Sequence, residues 1–356
     1  MISSAYIRNF KGISKCTIEN LGKFNLFIGK NDSCKSTILE AMNATLKEFT
    51  GPNLGTVMSR RGNVTGAGRE IWYNYKTKNH VVSEMKFGSA AVLMSISYNE
   101  QTNEVLTNLT VHSRRQNRDV SHSGPSSYYR GWDWSSRVSQ LAINFLDAFV
   151  VPERANFMSY IQNSVIIDSA LRNDLKHIEE VLGKIKLQRK DREFGNFLFG
   201  IFGKGRSWEF IPHPDFHGEY RAAIIEGRRR IFLNGLGDGI KFGMLIVAKS
   251  MLIDNAALFV EEIENNQHPD SLRKLIHFVV EASKKNRLQV FATTHSRLTW
   301  NYFEHEFDSI ADRNKNLRVF LVKRDNKTGV VTCNPQTQKD ADEFWCETDK
   351  ELFGTP

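Results

Sequence analysis

One stretch of nine residues decides the fold: Gly29-Lys30-Asn31-Asp32-Ser33-Cys34-Lys35-Ser36-Thr37. An apolar run at residues 25–28 precedes it and predicts a short buried strand, and an apolar helical pattern starts at Ser36 and continues to about Phe49. A loop between a strand and a helix N-terminus presents backbone N–H groups and the positive end of the helix dipole, which favour phosphate oxygens. We therefore expect Lys35 to contact the β and γ phosphates of a nucleotide and the Ser36 hydroxyl to ligate Mg²⁺.

The loop departs from the usual phosphate-loop pattern at one position, where Cys34 replaces the second glycine. A side chain crowds the loop there, so we expect either a weakened affinity for nucleotide or a thiol that is sensitive to oxidation. The alternative is an ordinary strand-to-helix turn that contains a lysine–serine pair by chance.

A second apolar strand, at residues 257–260, is followed directly by two acids, Glu261 and Glu262. In nucleoside triphosphatases the first acid completes the Mg²⁺ shell through water, and the second polarises the attacking water. The sequence therefore predicts a metal-binding role for Glu261 and a general-base role for Glu262. Glu264 belongs to the same turn, and no chemistry is assigned to it. The alternative is that these acids only cap a strand at the surface.

A third apolar strand, at residues 288–292, ends in Thr293-Thr294-His295-Ser296. A lone histidine at a strand end is commonly structural. Beside a phosphate loop and an acidic strand end, His295 is instead predicted to sense the γ-phosphate.

The composition and length of the chain limit the kind of protein in which these motifs occur. The chain has 356 residues, of which 40% are hydrophobic and 24 are phenylalanine, so it can build a core and is not disordered. Its 48 basic and 40 acidic residues give a net charge of +8, which permits a polyanionic partner without requiring one. This length predicts one large unit or a domain with a sizeable insertion.

Location and redox chemistry are also constrained. The sequence contains no apolar run of about 18 residues and no signal-peptide pattern at its start, so we expect a cytoplasmic protein with no membrane partner. The four cysteines are not closely spaced, which argues against a zinc ribbon or a disulfide framework. They are Cys16, Cys34, Cys333 and Cys346.

The rest of the chain predicts strands, loops and one helical stretch. The apolar stripe Ile167, Leu171, Leu175, Ile178, Leu182 and Ile185 predicts an amphipathic helix. Residues 271–283 predict another. Further strands are expected at residues 5–10, 14–18, 89–98 and 104–112, a closing hairpin at 318–322 and 329–333, and an exposed loop at 121–127.

Together these motifs resemble the ABC-type ATPases that include RecF, the SMC proteins and the OLD (overcoming lysogenization defect) proteins, and are most similar to the OLD-like AAA-family ATPases of bacterial defence systems. Residues 29–37 resemble the Walker A motif, 258–262 the Walker B motif and 294–296 the switch-histidine segment. Residues 7–13 resemble the N-terminal strand motif of this group. Leu236-Gly237-Asp238-Gly239 resembles the signature motif in its OLD-like form.

The resemblance implies an α/β fold: an ABC-type P-loop ATPase head with a mixed sheet and an inserted helical lobe. Residues 1–100 and 230–356 would form the head, and 101–229 the inserted helical and signature lobe. ATP and Mg²⁺ are the implied ligands. Residues 29–37 would hold the nucleotide, Ser36 and Glu261 the metal, and Lys35, Glu262 and His295 would act in hydrolysis.

The same resemblance implies a homodimer, or a higher homo-oligomer, in which ATP is sandwiched between one subunit's Walker motifs and the partner's signature loop. Gly237, Asp238 and Gly239 would then contact the partner's nucleotide. Gly237 replaces the usual serine and Glu261 the usual aspartate, and together with Cys34 these departures predict slow turnover. Only 61 residues follow His295, which leaves no room for the TOPRIM nuclease domain of OLD nucleases, so an effector activity is expected in a separate chain.

Three functions follow as hypotheses. The first is an ATP-dependent sensor or clamp that controls a separate toxin or nuclease in phage defence, by analogy of fold. The second is a RecF-like repair or recombination clamp, and the third is a non-hydrolysing, nucleotide-dependent scaffold. Nucleic acid is a further candidate partner because basic residues cluster at 228–230, at 114–115 with Arg118, and at 189–190 with Arg192. Aromatic residues also mix with an arginine at 128–134, where they could stack on bases or bind a protein partner, or else anchor a long loop to the core. A solvated basic face is the alternative.

Overall fold

A computed structural model of the chain describes residues 1–48, 71–88, 90–99, 101, 104–113, 118–125, 151–168, 170–215, 218–336, 340, 343 and 345. Within these residues, fifteen strands form two sheets. The strands are, in chain order, β1 (Ser4–Phe10), β2 (Ile13–Ile18), β3 (Phe24–Ile28), β4 (Val81–Phe87), β5 (Ala90–Asn99), β6 (Glu104–Ser113), β7 (Arg118–Pro125), β8 (Val165–Ile167), β9 (Arg206–Pro212), β10 (Tyr220–Glu226), β11 (Arg229–Phe232), β12 (Ala257–Val260), β13 (Gln289–Thr294), β14 (Leu317–Arg324) and β15 (Val330–Pro335).

The helices cover both faces of the larger sheet. In the described part of the chain the α-helices are α1 (Lys35–Glu48), α2 (Val151–Asn163), α3 (Leu175–Leu187), α4 (Asp191–Phe202), α5 (Asp238–Leu252), α6 (Pro269–Lys285), α7 (Arg297–Glu304) and α8 (Ile310–Asn316). None of the described helices is both long enough and apolar enough to cross a membrane.

The larger sheet has twelve strands among the described residues, in the spatial order β7-β6-β5-β4-β1-β2-β15-β14-β3-β13-β12-β8. From β7 to β2 every neighbouring pair is antiparallel. From β14 to β8 every neighbouring pair is parallel. β15 joins the two halves, since it runs parallel to β2 and antiparallel to β14. The smaller sheet has the order β11-β10-β9.

The central parallel strands β3, β12 and β13 are buried on both faces, which explains why their mainly apolar sequences do not alternate with exposed polar residues. On one face Phe27 stacks on Phe320 with ring centroids 5.3 Å apart, and Phe259 stacks on Phe291 at 4.8 Å, beneath α1 and α2. The other face carries Leu258 and its neighbours, and packs against α5 and α6. Burial of each phenylalanine stabilises the fold by about 1.5–3 kcal/mol.

Two sequence predictions about secondary structure are wrong. The predicted loop at 121–127 is part of β7 as far as Pro125, because β7 pairs with β6 along its length. The predicted helix from Ile167 begins only at Leu175. Ile167 lies instead in β8, where it pairs with Val260, and the Asp174 side chain caps the helix by accepting the His177 backbone N–H at 3.0 Å.

The predicted boundary between the head and the inserted lobe, at residue 100, falls within a continuous sheet. β5 and β6 pair over ten residue positions, although residue 100 was expected to separate the two regions. The segment 101–229 contains α2, α3 and α4, and it also contributes β6, β7 and β8 to the larger sheet. It is therefore helical only in part, and the division itself stays a prediction.

Candidate functional site

The predicted phosphate loop, acids and histidine follow three neighbouring parallel strands. β13 lies between β3 and β12 in the sheet. Ile28, the last residue of β3, pairs with Thr294, and Val260, the last residue of β12, pairs with Ala292. Since all three strands run in the same direction, the residues that follow them meet at one edge of the sheet. This edge is where open parallel sheets bind their ligands.

The phosphate loop depends on a glycine at its first position. Gly29 has a φ of +152°, and a Cβ added to it would lie 2.5 Å from the Val322 carbonyl oxygen of β14. A larger residue therefore cannot occupy this position without displacing the neighbouring strand. Lys30, Asn31 and Asp32 are exposed, whereas Ser33 is buried.

Lys35 is folded into the loop that it follows. Its Nζ donates to the carbonyl oxygens of Gly29 and Lys30 at 2.8 Å each, and lies 3.4 Å from the Ser33 Oγ. Burial lowers the pKa of the Lys35 ammonium, and the nearby carboxylates of Glu262 and Glu264 oppose that shift. The ammonium is therefore buried in the loop and is stabilised in its charged form by two carboxylates.

Cys34 adopts the conformation of the glycine that it replaces. Its φ is +70°, a left-handed value that is uncommon for residues with a side chain. The thiol lies against Gly12, since a Cβ added to Gly12 would be 2.9 Å from the Cys34 Sγ. Burial raises the pKa of Cys34, and the positive charge of Arg324 opposes the shift. The thiol is therefore mostly protonated at neutral pH, which makes it a weak nucleophile.

Nucleotide is expected to protect Cys34 from alkylation. Iodoacetamide should label Cys34 slowly at pH 7 and faster as the pH rises, because the thiolate is the reactive form. At an ATP concentration of about 100 times Kd, occupancy of the loop should slow labelling by about 100-fold. Peptide-resolved mass spectrometry measures the rate, and Cys34→Ser supplies the unlabelled control. An unchanged rate with ATP would count against this loop as the nucleotide site.

The two acids after β12 are held in a tight turn. Glu261 is buried, and its backbone N–H donates to the Ile167 carbonyl oxygen of β8. Glu262 is half-buried and has a φ of +47°. Its backbone N–H donates to the Thr293 Oγ1 at 2.8 Å, and its Oε2 accepts from the Asn265 Nδ2 at 2.9 Å. Left-handed backbone of this kind costs about 1–3 kcal/mol and clusters at functional sites.

His295 contacts the third acid of this turn, Glu264. The Glu264 Oε1 accepts the backbone N–H of His295 at 3.0 Å and lies 3.4 Å from its Nδ1. The sequence singled out both residues but gave no reason to pair them. The contact arises because β12 and β13 are neighbours, so the turn after one strand meets the turn after the other.

The signature segment lies at the start of α5, next to the same turn. Gly237 and Asp238 are exposed, and Asp238 forms an ion pair with Lys241 at 2.7 Å. Gly239 touches the turn, because a Cβ added to it would collide with the Asn266 carbonyl oxygen. The Gln267 Nε2 donates to the Gly239 carbonyl oxygen at 2.8 Å. The signature loop and the turn after Glu262 are thus one packed unit.

The donor set fits Mg²⁺ and a triphosphate. Ser36 is the second residue of α1 and Glu261 follows β12, so a hydroxyl and a carboxylate lie at the same edge of the sheet. Oxygen ligands of this kind suit Mg²⁺. When bound, the ion would neutralise phosphate charge and orient the γ-phosphate. Among the described residues no cluster of three or more histidine, cysteine or acidic side chains forms a separate metal site.

The basic and aromatic clusters that the sequence singled out are largely exposed or lie outside the described residues. Arg228, Arg229 and Arg230 are exposed around the β10–β11 turn. The basic pair 114–115 and the aromatic run 128–134 lie outside the described residues. Arg324 was not anticipated: its Nε donates to the Gly12 carbonyl oxygen at 3.0 Å, and its Nη1 lies 3.6 Å from Asp32 of the phosphate loop.

Comparisons with known proteins agree with this geometry. A family model described as "AAA domain, putative AbiEii toxin, Type IV TA system" matches residues 24–299, which is more than half of the chain. An ATP/GTP phosphatase of Helicobacter pylori is 21% identical, over 99% of this chain and 100% of that protein. An uncharacterized protein of Methanocaldococcus jannaschii is 44% identical over 54 residues, which cover 15% of this chain and 25% of that protein.

Among solved structures, an SMC head bound to the C-terminal winged-helix domain of ScpA shares the fold. Its TM-score is 0.50 at 15% identity, with 96% of this chain and 99% of that chain covered. The expected α/β architecture, an ABC-type head with a large mixed sheet, is thereby confirmed. The chain belongs to the AAA family that its residues 24–299 match, and it is a P-loop ATPase with an ABC-type head.

Proposed function

We propose that this ATPase dimerises on ATP and acts as a sensor or clamp that controls a separate effector. The observation that supports the proposal is that Lys35, Glu262 and His295 follow three neighbouring parallel strands at one edge of the sheet. Lys35 binds phosphate oxygens, Glu262 takes a proton from the attacking water, and His295 senses the γ-phosphate. The name of the Helicobacter pylori relative, an ATP/GTP phosphatase, supports hydrolysis.

Dimerisation is supported by the exposure of the signature loop. Gly237 and Asp238 face away from the core, and half of the His295 side chain is accessible. The start of α5 also presents the positive end of the helix dipole, which would attract a partner's phosphates. In this arrangement each subunit completes the other's site.

Control of a separate effector in phage defence is the further part of the proposal. It is supported by the family description, which names toxin–antitoxin systems. Cys34 in a left-handed conformation also favours slow turnover, since it strains and crowds the loop that must hold phosphate. Bound ATP then marks a state that persists, which suits a sensor or clamp better than a motor.

The test of dimerisation compares Gly239→Ala with Gly183→Ala, both in the Glu262→Gln background so that ATP stays intact. The added methyl at Gly239 displaces the signature loop from Asn266, and overpacking of this kind costs about 1–3 kcal/mol. We expect it to weaken ATP-dependent association by about 10-fold. Gly183 lies on α3 with no atom within 4 Å of an added Cβ, so its alanine variant should associate normally.

Analytical ultracentrifugation with and without ATP measures the association. A monomer at every ATP concentration in the Glu262→Gln background would contradict dimerisation. Equal association of Gly239→Ala and Gly183→Ala would exclude the signature loop from the interface. Co-purification from native cells then separates the functions: an effector chain supports defence, whereas recombination proteins support the RecF-like repair clamp.

A further inference from the structure

We propose that Glu264 is a positioning residue that fixes the ring of His295 through its Nδ1. The proposal rests on the hydrolytic function proposed above and adds to it a residue to which the sequence assigned no chemistry. Glu264 does not need to touch the nucleotide in this role. It determines which nitrogen of His295 is left for the nucleotide.

Glu264 lies close to His295 at two points, the backbone N–H and the ring. The Glu264 Oε1 accepts the backbone N–H of His295 at 3.0 Å, and the same oxygen lies 3.4 Å from the Nδ1 of that residue. The first contact fixes the main chain just after β13, and the second, at ion-pair distance, places the carboxylate beside the ring. The Glu264 side chain is 11% exposed and the His295 side chain 50%, so the fixed end is covered and the functional end is open.

The second carboxylate oxygen of Glu264 supports a functional role for this residue over a purely structural one. The Oε2 is buried and has no hydrogen-bond partner among the described residues. An unsatisfied buried carboxylate oxygen is unfavourable for stability, so a simple brace of the turn would be better served by a neutral side chain. The negative charge of Glu264 also reaches the phosphate loop, where it opposes the lowering of the Lys35 pKa by burial.

The position of the Glu264 carboxylate beside Nδ1 also determines which tautomer of His295 is favoured. A carboxylate beside Nδ1 favours the forms of imidazole in which Nδ1 carries a proton. Nε2 then remains as the nitrogen that faces away from Glu264. Without the carboxylate the ring is free to rotate and to place its proton on Nε2, so it loses a defined geometry for sensing phosphate.

The experiment combines NMR with kinetics on Glu264→Ala, Glu264→Gln, His295→Ala and the double variant Glu264→Ala/His295→Ala. In nucleotide-free protein the ring ¹⁵N shifts of His295, assigned by their loss in His295→Ala, should report a protonated Nδ1. Glu264→Ala should shift that signal towards the Nε2–H form. It should also lower kcat by about 10–100-fold with little change in KM for ATP, the range for partners that orient a histidine.

Two further results distinguish a residue that positions the His295 ring from one that only stabilises the turn. Glutamine keeps an acceptor oxygen for both contacts, so Glu264→Gln should recover part of the lost kcat, and it carries the test if the alanine variant does not fold. The double variant should be no slower than His295→Ala alone, because both changes remove the same function. Losses that multiply in the double variant, or an unchanged Nδ1 signal in Glu264→Ala, would overturn the proposal.

Glu306→Gln is the matched control. Glu306 also holds a histidine through Nδ1, with its Oε2 at 2.7 Å from His277, but that pair lies outside the candidate site. Its variant should leave kcat and the His295 signals unchanged. If the wild-type protein shows no turnover, the hydrolytic function fails, and the NMR comparison alone still decides whether Glu264 fixes the His295 ring.

Discussion

Replacing Glu262 by glutamine is expected to lower ATP turnover by about 10²–10⁴-fold, the contribution of a well-placed general base. The carboxylate is held by the Asn265 amide and its main chain by the Thr293 hydroxyl. Glutamine keeps the size of the side chain but cannot accept a proton from water. Single-turnover phosphate release measures hydrolysis, and calorimetry should show that the affinity for ATP is retained.

The control for this variant is Glu281→Gln, which changes an exposed carboxylate on α6 that pairs with Lys284. It should hydrolyse ATP at the wild-type rate. If wild type and Glu262→Gln bind ATP but show the same negligible hydrolysis, the chain is a nucleotide-dependent scaffold. Fast hydrolysis by the wild type without any partner would instead contradict slow turnover.

Replacing Lys35 by alanine is expected to weaken ATP binding by about 10–100-fold, because a hydrogen bond to a charged group contributes about 1.5–3 kcal/mol. Turnover should fall below detection. The change also removes the ammonium that now satisfies the carbonyl oxygens of Gly29 and Lys30, so the loop loses its internal support. Titration with a fluorescent ATP analogue measures the affinity.

Lys47→Ala provides the comparison, since Lys47 lies at the other end of α1, where its Nζ donates to the Gln162 carbonyl oxygen. Its affinity for ATP should equal that of the wild type. Thermal unfolding of both variants shows whether lost binding reflects a local or a global change. Tight ATP binding by Lys35→Ala would mean that residues 29–37 are not the nucleotide site.

The parallel half of the sheet could be predicted because its strands carry their own signal. β3 and β12 are short apolar runs bounded by polar turns, and the helix after residue 34 has a clear apolar period. β7 and β8 could not be predicted. β7 is rich in polar residues and is set by its pairing with β6, and the three residues of β8 are set by β12, so tertiary contacts overrode the local pattern.

The candidate site divides in the same way. The motifs located Lys35, Glu262 and His295 because phosphate loops and strand-end acids have fixed local spacings. The contact between Glu264 and His295 joins residues 31 positions apart, and that of Arg324 with Gly12 joins residues 312 apart. No local spacing encodes such contacts, since they depend on which strands become neighbours. The sequence therefore identifies the reactive side chains more readily than the long-range contacts that hold them in place.

The position of β3 has a consequence for synthesis on the ribosome. Its two neighbours in the sheet are β13 and β14, which are translated more than 250 residues later. The growing chain therefore carries an apolar strand without a pairing partner until residues 289–324 emerge, and long-range pairing of this kind folds slowly. A chain that stops before residue 289 lacks both strands that flank β3, so we expect nucleotide capture only after residues 289–324 have been translated.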